Sequence, residues 1–186
     1  MIRSRLSAAP PRTAPLAVTT VLLALLGMFG PFSIDTPFPA FQSMGEDFEV
    51  SDASMQLVVS AYLGAFALMS LFHGPLSDAI GRKPVMVTGA AVYALASIGC
   101  ALSPSLPVLL AFRVLQGMSA GAGTIVSRTV VRDLFEGARA QRLMSTIAMI
   151  FGIGPAIAPI IGGWLLLAGP WPLVFWFLSL FGTVIA

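Results

Sequence analysis

Two ionisable side chains sit inside stretches that are otherwise apolar: Asp35 in "GMFGPFSIDTPFPAF" and Arg113 in "LLAFRVLQGMSAGAGT". A charge at membrane depth is costly, roughly 2.5–3.5 kcal/mol for an arginine on insertion scales, and such residues mark proton or substrate pathways. Arg113, Gln116 and Gly117 stand at i, i+3 and i+4 and so share one helix face. Gly117 and Gly121 form a small-xxx-small pair that lets a neighbouring helix come close. Two readings stay open for each charge. Arg113 either faces a partner inside a bundle or snorkels to the outer interface. Asp35 is either a proton site or a helix-end acid wetted from outside. A further polar constellation is "GPLSDAIGRKP", residues 74–84, wedged between two apolar runs. Gly74, Pro75, Gly81 and Pro84 suit a tight turn. Asp78 and Arg82 are four apart, close enough for an ion pair if a helical turn persists.

These side chains need a scaffold that can hold them in lipid, and the composition supplies one. Of the 186 residues, 57% are hydrophobic and only 10% charged, with a mean hydropathy of +0.92. Soluble domains carry about 25% charged residues. The apolar residues come in runs long enough to cross a bilayer, which takes about 20 helical residues. Spans are expected at 16–41, 55–73, 85–102, 106–131, 142–168 and 171–186, after a tail of residues 1–15. The runs lack the two-residue alternation of a transmembrane barrel, and only helices satisfy their own backbone in lipid. The fold class is therefore all-α, a polytopic transmembrane helical bundle.

Charge placement orients the bundle. Arg3, Arg5 and Arg12 precede the first span, Arg82 and Lys83 lie between the second and third, and Arg132, Arg139 and Arg142 between the fourth and fifth. The alternate connections carry Glu46, Asp47, Glu49 and Asp52, or no charge at all. Basic loops stay in the cytoplasm, so the N-terminus is expected there. The first run is long and lacks a small-x-small cleavage site, which argues against a signal peptide. Residues 171–186 give only about 24 Å of helix, so a fragment cut near the end of a sixth span is expected. One histidine and one cysteine, His73 and Cys100, cannot build a zinc site. No metal, cofactor or nucleic-acid partner is expected. No Ser/His or His/Asp set lies at membrane depth, so enzymatic activity is not expected either. Phe and Met residues such as Met28, Phe29, Phe32, Phe66 and Met69 either line a cavity for varied apolar ligands or face lipid.

Four motifs carry a resemblance. "GPLSDAIGRKP" resembles motif A of the major facilitator superfamily, with Ala79 standing where a base is usual. The Arg113 run is similar to motif B. Asp35 with Pro39 resembles motif D of the bicyclomycin/chloramphenicol-resistance family, although Pro37 replaces the usual aromatic and Gln42 a later proline. Ala158-Pro159-Ile160-Ile161-Gly162-Gly163 looks like motif C, associated with antiporters, with alanine for its first glycine. The resemblance implies the N-terminal six-helix half of a 12-helix transporter, built as two inverted three-helix repeats. It implies a latch of Gly74, Asp78, Gly81, Arg82 and Lys83, with Arg82 pairing to Asp133 and Asp78 meeting the other half. It also implies drug efflux coupled to protons across a bacterial inner membrane, with Asp35, Arg113 and Gln116 at a shared cavity. A metabolite or sugar exporter, or a membrane scaffold without transport, are the alternative readings.

Overall fold

The computed structural model describes residues 16–135 and 137–185, so Arg3, Arg5 and Arg12 lie outside the described residues. The elements in chain order are α1 (Leu16–Gly27), α2 (Phe29–Asp35), a 3₁₀ turn (Phe38–Ala40), α3 (Phe41–Asp47), α4 (Asp52–Ile80), α5 (Arg82–Ala101), α6 (Leu106–Leu134), α7 (Gly137–Ala168) and α8 (Pro172–Ile185). Among the described residues, five helical segments are long and apolar enough to cross a membrane, and Pro172–Ile185 is a shorter apolar helix.

The first span is one path broken into pieces. Pro31, Pro37 and Pro39 each lack an N–H, so the helical ladder is interrupted where they stand. The chain turns at Met28 and tightens to 3₁₀ at Phe38–Ala40, where Ala40 N–H reaches the Pro37 carbonyl at 2.9 Å. It then continues as helix to Asp47, beyond the expected end at 41. The second span runs Asp52–Ile80 rather than 55–73. Ser51 caps its start, its Oγ accepting from the Ser54 N–H at 3.3 Å. At the other end the polar residues of the 74–84 stretch do not unwind it. Gly74 and Pro75 are absorbed into α4, and only Gly81 breaks the helix.

Gly81 has φ +98° and ψ 152°, a region open essentially to glycine alone. One residue thus replaces the loop expected there and hands the chain from α4 to α5.

Within the bundle, α6 packs against α4 and α5, α5 against α8, and the first span against α6 and α7. Lipid tails give no hydrophobic drive between helices, so close van der Waals packing must hold them. Glycines supply it. A Cβ on Gly117 would stand 2.3 Å from the Tyr62 carbonyl oxygen, and one on Gly89 2.2 Å from the Ala122 Cβ. Aromatic rings fill the centre, with Phe29 edge-on to Tyr93 at 4.5 Å between centroids and Phe32 stacked on Phe181 at 5.2 Å. The most apolar stretches of α4 and α7 are only 17% buried, against 67% for the first span. These two helices therefore stand at the rim of the packed core.

Replacing Gly81 with valine is expected to cost about 1–3 kcal/mol through backbone strain, since its Cβ would make only ordinary contacts with the Pro84 ring, the nearest at 3.5 Å. A melting temperature of the purified protein lowered by several degrees is expected; an unchanged one would contradict the role given to this glycine.

Candidate functional site

Arg113 lies in α6 and is fully buried. Its Nε donates to the Val58 carbonyl at 3.0 Å, and its Nη1 to the Ser33 carbonyl at 2.9 Å and to Gln116 Oε1 at 2.7 Å. The guanidinium also lies over the Tyr62 ring, 4.7 Å from its centroid. Gln116 passes the network on, donating through Nε2 to Ser97 Oγ at 2.7 Å, which donates to the Tyr93 carbonyl at 2.8 Å. Four helices meet at this one side chain and its glutamine. Hydrogen bonds from a charged donor are worth roughly 1.5–3 kcal/mol each. Three of them, with a desolvated cation–π contact of about 2 kcal/mol, exceed the insertion cost. Arg113 faces the bundle interior and does not snorkel.

Its partners are carbonyl and amide oxygens, not an acid. Asp35 ends α2 and is half-buried. It lines a cavity of about 600 Å³ with Gly30, Pro31, Tyr62, Phe66, Ser70, Arg128, Phe151 and Pro155, drawn from the first span, α4, α6 and α7. Arg113 does not border this cavity. The expected meeting of Asp35 and Arg113 in one chamber is therefore corrected. The two stand near one level, since Arg113 holds the carbonyl of Ser33 two residues before Asp35. Helix rotation turns them to different sides: Arg113 enters the packed interior beneath Tyr62, and Asp35 faces the open cavity.

The basic residue that does share the cavity with Asp35 is Arg128, which the sequence reading passes over. It is exposed, and its Cζ lies 5.6 Å from the Phe151 ring centroid. The signal was present in the sequence: Arg128 falls within the apolar run 106–131, one helical turn before Arg132.

The motif A residues meet as an ion-pair cluster. Arg82 Nη1 lies 2.6 Å from Asp78 Oδ1, and its Nε donates to Asp133 Oδ2 at 2.9 Å. Its Nη1 also donates to Ser77 Oγ. Asp78 and Asp133 keep 66% and 49% of their side-chain surface exposed, so water and salt screen each pair and neither adds much to folding. Lys83 is exposed and makes no salt bridge among the described residues. Gly74 has open space around it.

The motif C residues pack α7 onto the first span. Ala158 is fully buried, and Pro159 is half-buried. A Cβ on Gly162 would stand 2.1 Å from the Thr36 carbonyl oxygen, directly beside Asp35, whereas one on Gly163 would meet nothing within 4 Å. Gly154, one further pair of turns along the same face, lies against Pro31 in the same way. These contacts make α7 the wall that fixes the Asp35 segment in place.

A half-open cavity between membrane-spanning helices, bearing charges and walled by glycine-packed helices, defines a transporter-like membrane fold. The chain belongs to the major facilitator superfamily: the family model described as Major Facilitator Superfamily matches residues 23–186. It is an integral membrane protein of a family of transporters, not enzymes. It is 34% identical to the bicyclomycin resistance protein homolog of Haemophilus influenzae over 164 residues, covering 88% of this chain and 41% of that protein. It is 36% identical to multidrug resistance protein D of Escherichia coli over 143 residues, covering 77% of this chain and 36% of that one. The chain thus spans about two-fifths of the length of these relatives. Among solved structures, the proton:xylose symporter XylE bound to 6-bromo-6-deoxy-D-glucose superposes with a TM-score of 0.80 at 14% identity, covering 90% of this chain and 42% of that one. The human organic anion transporter MFSD10 gives 0.67 at 21% identity, covering 92% and 46%. The fold agrees with the N-terminal half of that superfamily.

The glycine contacts separate two adjacent positions. Gly162→Ala should force α7 off the first span and destabilise the protein by about 1–3 kcal/mol. Gly163→Ala should be neutral or slightly stabilising, by up to about 1 kcal/mol. Equal melting temperatures for the two variants would refute the packing role of Gly162.

Proposed function

We propose that the chain forms the cavity-bearing N-terminal half of a proton-coupled exporter of drug-like molecules. It would sit in a bacterial inner membrane with its N-terminus in the cytoplasm, completed by a six-helix C-terminal half. The observation that carries this reading is Asp35, a carboxyl group facing a cavity of about 600 Å³ between the first span, α4, α6 and α7. The names of its relatives, which include a bicyclomycin resistance protein homolog and multidrug resistance proteins, support the substrate class. The basic connections on one side support the orientation.

In this mechanism the Asp35 carboxyl holds either a proton or the positive end of a substrate, never both. Proton and substrate therefore compete, and each favours a different facing of the cavity, which is the condition for exchange by alternating access. Arg113 acts as a positioning residue. It ties the carbonyl of Ser33 on α2 to that of Val58 on α4, so the acid-bearing segment moves with the bundle and not independently of it. Gly162 presses α7 onto Thr36, and a shift of α7 is therefore felt at Asp35. The Asp78–Arg82–Asp133 cluster is the latch. Pairs this exposed contribute little to folding, which suits contacts that form and release in each cycle.

Asp35→Asn in the full-length protein should abolish proton-driven efflux while leaving expression and melting temperature close to wild type. Undiminished efflux would remove Asp35 from the mechanism.

A further inference from the structure

Arg128 gives the cavity a second, opposite charge that the proton-exchange reading does not use. Its guanidinium is not tied down by an acid: among the described residues it forms no salt bridge, and its aromatic neighbour is Phe151, 5.6 Å away. Phe151 in turn stands against Gly30, where a Cβ would meet its ring edge at 3.7 Å. Asp35 lies five residues beyond Gly30 along the same span, about 7.5 Å of helical rise. The acid and the guanidinium therefore line one chamber without pairing, since among the described residues no salt bridge joins them. The rest of the lining is mostly apolar, with Ile34, Phe66, Ile125 and Phe151 among it and Tyr62, Ser70 and Thr124 as its uncharged polar members.

We propose that this cavity is selective for amphoteric molecules with a cationic group at one end, an anionic group at the other and a flat apolar body between. The cation would sit at Asp35 and a carboxylate would take the fork of Arg128, which suits planar two-oxygen anions. The body would lie on Phe66 and Phe151. A guanidinium exposed in a cavity and stacked on a ring is already oriented, so little rotamer freedom is lost when an anion binds. A simple monocation fills only half of this arrangement. The inference rests on the export reading above, and adds to it a specificity-determining residue and a ligand class.

The test compares norfloxacin, which bears a carboxylate and a distal amine on an aromatic body, with its decarboxylated analogue, using binding to the purified full-length protein. Wild type is expected to prefer norfloxacin by tenfold or more. Arg128→Gln should erase that preference by weakening norfloxacin alone, and Arg128→Lys should restore part of it. Asp35→Asn should weaken both compounds. If wild type binds both equally, or if Arg128→Gln weakens both equally, the inference is overturned while the export reading stands. Binding of neither compound by wild type would likewise overturn the inference, while the export reading stands or falls on the Asp35→Asn efflux assay.

Discussion

The structure depends on how one buried guanidinium is satisfied. In lipid an unpaired charge cannot turn to water, so Arg113 must find every partner inside the bundle or not be there at all. Nε and Nη1 find them on three different helices, at the Ser33 carbonyl, the Val58 carbonyl and the Gln116 amide, while Nη2 is buried without a hydrogen-bond partner among the described residues. Because two of these acceptors are backbone, the contacts fix the positions of α2 and α4 themselves and not just of their side chains. The same bonds hold the segment that ends in Asp35. A structural arginine thereby sets the place of the acid proposed as the proton site, without a hydrogen bond or ion pair to it.

Close packing completes what the arginine begins. The first span is weakened by its prolines and would wander as an isolated helix. Gly154 and Gly162 let α7 press on it at Pro31 and Thr36, and Gly123 lets α6 meet Phe29. The result is a bent segment held from two sides, with its third side open to the cavity. That arrangement exposes Asp35 to solvent and ligand while keeping its backbone still. Both conditions suit the proton site proposed for Asp35.

Much of this was legible in the residues, and each miss has its own physical cause. Apolar run lengths found the six helical segments, because lipid enforces that pattern directly. Their ends were extended by helix that continues through polar residues: Asp52 and the 74–80 stretch stay helical since nothing before Gly81 forbids it. The contact of Arg82 with Asp133 came from the motif resemblance, and the two do meet. The sharing of one cavity by Asp35 and Arg113 came from the resemblance, which makes the first and fourth spans line a common chamber, together with their matching depth. Depth follows from counting, but facing depends on helix rotation. The prolines of the first span reset that rotation locally, so periodicity could not carry the phase from one end to the other. Arg128 was overlooked for a simpler reason: it sits one turn from a basic helix end and reads as part of it.

The account stands on the claim that a substrate and a proton contend for the Asp35 carboxyl. The most direct measurement is proton release when norfloxacin is added to purified full-length protein in weakly buffered detergent solution, followed with a pH indicator. The account predicts release that saturates with binding in wild type and is absent in Asp35→Asn. Binding without any proton release from the wild-type protein would contradict it.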